Sequence, residues 1–432
     1  MEKSIGLIPA CKFIQSKELD PKVLLTHSFE LANKLEPQLK SFVTRSDFDS
    51  LLKQLKSGPL SGIPIGIKDI IATLDLPTTN GSPIYKGHMP NEDAEIVKKI
   101  RNLGGVIFGK TVTTQFAWRT PGPTTNPFNP AHTPGGSSSG SAAAVAAGIV
   151  PLALGTQTVG SIIRPAAFCG VVGFKPSYGA VSKVGVHPLS YSLDHIGFFA
   201  RSVDDVAYAF QLLKNDQSLQ AEEIAIPNLE LNADNTILEF QSPKIALLET
   251  PFDDLLSAEQ QELMSLAILN LEKHGAVIKK LQLPNEYWDA IQSLHLIMEV
   301  EAARIHSEHM LHSSELLCPN IKDLAEKGLK HATKDYENAL ILQQKLRQSI
   351  GDFFEVFDAL FTAPATGEAP KGLEWTGDPI FCALASFLGT PSIAVPVGKS
   401  KNGLPLGIQL IGGYKDDAKL LSIAKFAENA FI

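Results

Sequence analysis

Three separate stretches of this chain hold residues that can do chemistry together. The first, PGGSSSGSAAAVAAG (134–148), is a glycine–serine loop running straight into an alanine-rich helix. A helix N-terminus presents unpaired N–H groups and the positive end of a dipole. The loop admits three readings. As a phosphate loop it lacks the lysine of the Gly-x4-Gly-Lys-Ser/Thr pattern. As a nucleophile elbow, Gly136-Ser137-Ser138-Ser139-Gly140 matches GxSxG around Ser138, and Asp194 and His195 follow in the order Ser, Asp, His. Yet adjacent residues of one strand face opposite sides, and an elbow follows a strand directly, whereas TNPFNPAHTP precedes this loop.

The third reading couples the loop to GIPIGIKD (62–69) and GTQTVGSIIRPAAFCGVVGFKPSYG (155–179). Lys68 ends a strand of small and aliphatic residues. Desolvation there disfavours the ammonium and lowers its pKa, so the amine becomes a base near neutral pH. Ser161 follows a Thr-Val-Gly turn. A serine hydroxyl is a weak nucleophile until such a base takes its proton.

These stretches, with SLDHIGFFARSVDD, GDPIFCALASFLGTPSIAVPVG and GLPLGIQLIGGYKDDAKLL, resemble the amidase signature family from about residue 20 to the end. The resemblance implies a Ser–cis-Ser–Lys triad that hydrolyses amide bonds through an acyl-enzyme. It makes Lys68 the base, Ser137 the bridging serine after a cis Gly136–Ser137 peptide, and Ser161 the nucleophile, 24 residues beyond Ser137. The N–H groups around Thr158, Val159, Gly160 and Ser161 resemble the family's oxyanion hole, and Gly136 and Ser138 join the substrate-binding set. The fold implied is α/β, a mixed twisted sheet with helices on both faces, and no metal or organic cofactor is required. The partner expected is a small-molecule amide.

The chain departs from the family's commonest block, TDTGGSIRxPA. Gln157 replaces the acid, Val159 replaces a glycine, and Arg164 sits one place later than usual. The same resemblance carries a second role, the A subunit of a glutamyl-tRNA amidotransferase that draws ammonia from glutamine. Residues 285–315 lack the tyrosine- and serine-rich pattern expected for that role, so a stand-alone amidohydrolase is the first expectation.

Other candidates read as structural. His306, His309 and His312 recur every third residue, as on a solvated or partly buried helix face, and no HExxH or carboxylate set completes a metal site. Ser50 with Lys53 fits SxxK but has no companion motif. Cys169 in FCGVVGF reads as a small buried hydrophobe. Asp194 and His195 order the segment after the core, and the loop Trp375–Asp378 is a candidate substrate contact.

The elements that must position these residues alternate along 432 residues. A 44% hydrophobic, 19% charged composition is globular rather than disordered. A net charge of −8 argues against sequence-independent nucleic-acid binding, which needs a basic surface. Cys11, Cys169, Cys318 and Cys382 form neither a CxxC pair nor a zinc pattern, which suits free thiols in a reducing compartment. No apolar run reaches membrane-spanning length, and the N-terminus does not read as a signal peptide, so a cytoplasmic protein is expected.

The chain reads as one amidase domain, 1–432. It divides into an N-terminal helical segment (1–60), a signature core (61–210), a variable and mainly helical region (215–350) and a C-terminal return to the sheet (351–432). Within it, 215–240 is a polar excursion, and Ser202 with Asp205 forms a capping box. Assembly state is open, a homodimer included.

Overall fold

Short runs of β-branched and aliphatic residues between amphipathic helices form one eleven-stranded mixed sheet. The computed structural model describes residues 4–215, 231–233 and 235–431. The strands are β1 (Phe42–Arg45), β2 (Pro64–Lys68), β3 (Val106–Thr111), β4 (Leu152–Gln157), β5 (Val172–Lys175), β6 (His195–Ala200), β7 (Lys244–Glu249), β8 (Val277–Gln282), β9 (Ala359–Thr362), β10 (Ser392–Lys399) and β11 (Pro405–Ile411). Their order is β1-β3-β2-β4-β6-β5-β10-β11-β9-β7-β8. β2 lies parallel between β3 and β4, while β4, β6, β5, β10, β11 and β9 pair antiparallel in turn.

Side chains alternate across a strand, and here each face has its own core. On β4, Leu152 and Leu154 join the larger cluster while Ala153 joins the smaller; on β6, Phe198 and Phe199 divide the same way. The helices Glu95–Asn102, Val203–Leu213 and Asp417–Asn429 supply residues to the larger cluster. Pro21–Leu39 and Ser139–Ala146 supply the smaller. The sheet is therefore covered on both faces, which is why all five residues of β2 are buried.

Three expectations need correction or restriction. The N-terminal segment is not wholly helical: β1, FVTR, pairs antiparallel with β3 at the sheet edge. Four residues between two helices give too short an alternation to read. The polar excursion at 215–240 falls mostly on 216–230, outside the described residues. Of the expected capping box only the N-cap bond is seen: the Ser202 hydroxyl accepts from the Asp205 N–H at the start of Val203–Leu213, while the Asp205 carboxylate accepts from Ile8 N.

Candidate active site

Lys68 is the last residue of the central strand β2 and is completely buried. Its Nζ lies 2.7 Å from Ser137 Oγ and 2.8 Å from Thr156 Oγ1. No carboxylate touches it among the described residues. Burial pushes the ammonium down from its ordinary 10.5 to about 7, while the Asp194 charge pulls upward. At neutral pH a large fraction of this amine is therefore unprotonated.

The serine loop is held by close backbone packing. Gly135 has φ of +81°, and a Cβ there would lie 2.9 Å from Pro165 Cα, so only glycine fits. The Gly136–Ser137 peptide is cis. The helix Ser139–Ala146 follows, with Ser138 as its N-cap residue. Three neighbouring serines are spent on structure. Ser138 Oγ donates to Thr156 O (3.1 Å) and accepts from Thr156 N (3.2 Å), Ser141 Oγ donates to Leu154 O (2.8 Å), and Ser139 Oγ donates to Val112 O (3.3 Å). Ser138, grouped with the substrate contacts on sequence grounds, is fully buried against β4 and does not line the cavity described below. A hydroxyl that satisfies both the N–H and the C=O of one residue has turned away from any substrate.

The turn after β4 is fixed by its carbonyls and by Gln157. Gln157 Oε1 accepts from Ile162 N (2.7 Å) and Ile163 N (3.0 Å), and its Nε2 donates to Ser386 Oγ (3.0 Å). Ser386 Oγ donates in turn to Val159 O (2.6 Å), and Gly160 O accepts from Arg164 N (3.1 Å). Among the described residues the N–H groups of Val159, Gly160 and Ser161 find no protein acceptor. Thr158 Oγ1 donates to Asp194 Oδ1 (2.6 Å), whose other oxygen accepts from Leu189 N and Ser190 N. The neutral amide of Gln157 thus braces this turn, while Asp194 ties Thr158 to the loop before β6.

A cavity of about 150 Å³ opens beside this turn. Ser137, Thr158, Val159, Gly160 and Ser161 line it, together with Trp118, Arg119, Arg164, Leu189 and Trp375–Pro379. Ser137 and Ser161 therefore line the same cavity, and among the described residues no hydrogen bond joins their hydroxyls. Ser161, 9% exposed, makes no hydrogen bond within the protein among the described residues. A Cβ on Gly160 would come within 2.7 Å of Pro379 Cβ, so the turn and the 375–379 loop pack too closely for a side chain. Gly136 is not on the lining; its carbonyl accepts from Arg164 Nη2 at 2.6 Å. Sequence reasoning missed Thr156 as a partner of Lys68, and treated Arg164 only as a departure from pattern. The position of Thr156, at the strand end just before the turn, was the available signal.

The set-aside candidates divide. His306 does not lie on a solvated face: the helix Asn285–Ile305 stops just before it, and the ring is fully buried against Phe116 and His187. Burial pushes His306 down to about 3. Among the described residues no group of three or more His, Cys, Asp or Glu is arranged to hold a metal ion. Cys11, Cys169, Cys318 and Cys382 are free thiols, and burial pushes Cys11 and Cys382 up to about 12. No described helix is long and apolar enough to cross a membrane.

The family model for amidases matches residues 44–421. The chain belongs to the amidase family. The sequence is also 34% identical to the A subunit of glutamyl-tRNA(Gln) amidotransferase from Halothermothrix orenii, over 96% of this chain and 95% of that protein. Among solved structures, an amidase superposes with a TM-score of 0.86 at 28% identity, covering 99% of this chain and all of that one. The A subunit of the Thermotoga maritima glutamyl-tRNA(Gln) amidotransferase superposes with a TM-score of 0.81 at 29% identity, covering 97% and 93%. These relatives make carbon–nitrogen bond cleavage the chemistry of this amidase fold.

Proposed function

We propose that this amidase hydrolyses a carboxamide through an acyl-enzyme on Ser161. The observation that carries the reading is the 2.7 Å contact between the buried Lys68 amine, which meets no carboxylate among the described residues, and Ser137, which lines one cavity with Ser161. Neutral Lys68 accepts the Ser137 proton as Ser137 accepts the Ser161 proton. Ser161 Oγ then attacks the amide carbonyl carbon. The free N–H groups of Val159, Gly160 and Ser161 are placed to bind the oxyanion, and donors of this kind are worth about 3–4 kcal/mol each. The lysine–serine relay returns its proton to the leaving nitrogen, and the C–N bond breaks. Water, deprotonated by the same relay, releases the acid and restores Ser161.

Two uses of this chemistry compete. Near-full-length similarity to amidotransferase A subunits favours an ammonia source acting on glutamine beside partner subunits, over the stand-alone role first expected from residues 285–315. Similarity to a structure described simply as an amidase keeps the stand-alone role in view. The purified chain is assayed for ammonia release from glutamine and from simple aliphatic amides, alone and after co-purification with any bound subunits. Glutamine turnover that requires a co-purified partner supports the amidotransferase role. Partner-free turnover of simple amides supports the stand-alone enzyme. Absence of both, with no labelling by a fluorophosphonate, counts against catalysis itself.

A further inference from the structure

We propose that Ser386 is a positioning residue for the oxyanion: it turns the Gly160 N–H toward the cavity, and it does so because residue 157 is a neutral amide. The inference rests on the reading that Ser161 is the nucleophile, and it adds what aims one of the oxyanion donors.

Each hydrogen bond in this network has one possible direction. Ile162 N and Ile163 N can only donate, so the Gln157 atom that receives both is Oε1. Nε2 therefore meets Ser386 Oγ as a donor, at 3.0 Å. A serine hydroxyl has a single proton. Ser386 gives it to Val159 O, which can only accept, at 2.6 Å. Gln157 and Ser386 are both buried, so bulk water does not compete for these groups.

The direction fixes the next peptide. Gly136–Ser137 is the one cis bond among the described residues, so Val159–Gly160 is trans. A trans peptide holds its C=O and N–H on opposite sides. With Val159 O drawn onto Ser386, the Gly160 N–H faces the other way; it meets no protein acceptor among the described residues, and Gly160 lines the cavity. Ser386 lies inside the helix Ile380–Leu388, where a serine commonly bonds back to the carbonyl one turn earlier. Here its proton leaves the helix for a turn 227 positions away in sequence. Pro379, just ahead of the same helix, packs against Gly160, so one segment grips the turn at two points.

A carboxylate in the place of this amide would have acceptors only. It would still receive Ile162 N and Ile163 N, but it would also take the Ser386 proton and leave Val159 O without a donor. The neutral Gln157, where the family's commonest block has an acid, is what leaves the Ser386 proton to the oxyanion turn.

The test is phosphonylation of Ser161 by a small fluorophosphonate, located by peptide mapping. Ser161 Oγ bonds to phosphorus, fluoride leaves, the Ser161 proton passes to the lysine–serine relay, and the phosphoryl oxygen takes the oxyanion position. Loss of one oxyanion donor costs about 10²- to 10³-fold. Ser386→Ala and Gln157→Glu should each lower the maximal inactivation rate per folded molecule by at least about tenfold, with KI for the reagent changed by less than about threefold. A role in packing alone would lower the folded fraction, read by circular dichroism, and leave that rate unchanged. Crystal structures read the geometry without catalysis: in Gln157→Glu the Ser386 hydroxyl should turn to the new carboxylate and Val159 O should leave it. Wild-type inactivation rates in both variants overturn the proposal. If Ser161 of the wild type is not modified, yet Val159 O leaves Ser386 in Gln157→Glu, the catalytic reading fails and the hydrogen-bond direction stands.

Discussion

Lys68 and Lys175 are two fully buried lysines at the ends of strands in one sheet, and burial lowers both to about 7. Their surroundings differ. Lys175 Nζ donates to the carbonyls of Pro176 and Thr390, near the buried carboxylate of Asp417. Lys68 Nζ makes its two short contacts to hydroxyls, Ser137 Oγ and Thr156 Oγ1, with a longer 3.5 Å contact to the Thr156 carbonyl, and Ser137 lines the cavity. A carbonyl can accept a hydrogen bond but has no proton to give, so an amine held by carbonyls is a structural tie. A hydroxyl can both give and receive, so an amine held by hydroxyls begins a relay. A lowered lysine pKa therefore does not single out a base; the partners of the amine do.

The sharpest way to break this comparison is to remove each amine. Lys68→Met should lower kcat/KM by about 10³- to 10⁴-fold, near the upper range for a general base that is also the relay's only sink. Lys175→Met should leave kcat/KM per folded molecule within about threefold, and should cost about 1–3 kcal/mol in denaturant unfolding as its carbonyl partners lose a donor. Equal losses of activity would remove the distinction.

The pH profile sharpens it further, because both lysines titrate in the same range. Below about pH 7 Lys68 is an ammonium with no lone pair, so kcat/KM should fall about tenfold per unit on the acid side. That limb should persist in Lys175→Met, and stopped-flow profiles of both proteins check it. Asp194→Asn gives a smaller effect of known sign. The Asp194 charge raises the Lys68 pKa, so its removal should move the acid limb to lower pH, with some loss of kcat as Thr158 loses its anchor. Smallest of all, Ser138→Ala should cost about 1 kcal/mol of stability and leave kcat/KM within about fivefold, since Ser138 supports Thr156 rather than the cavity.

Much of this arrangement was legible in residue order. Lys68 at the end of an aliphatic strand and the two serine-bearing stretches stand out in the sequence, while the roles given to Lys68, Ser137 and Ser161 came from the resemblance to the amidase signature family. β2, β3 and β7 to β11 were legible as β-branched or aliphatic runs, but β1 carries too little pattern in four residues, and β4, β5 and β6 lie in a glycine-rich stretch without clear alternation. What could not be read were partners set by tertiary packing. Thr156 reaches Lys68 only because β4 lies beside β2. Gln157 reads as a lost acid until its amide is seen to brace two N–H groups and Ser386, a residue 229 positions away. Ser138 resembles its neighbour Ser137 in sequence, yet the loop turns one hydroxyl into β4 and the other onto the cavity. His306 is spaced like a surface residue, but a helix break carries it into an aromatic cluster.

The most direct test is the rate at which a small fluorophosphonate modifies the enzyme, followed by peptide mapping across pH 5–9. A covalent adduct on Ser161, forming faster as the pH rises through about 7 and nearly abolished by Lys68→Met, is the expected result. An adduct on Ser138, or a Ser161 adduct whose rate ignores both pH and the lysine, would contradict the proposed relay.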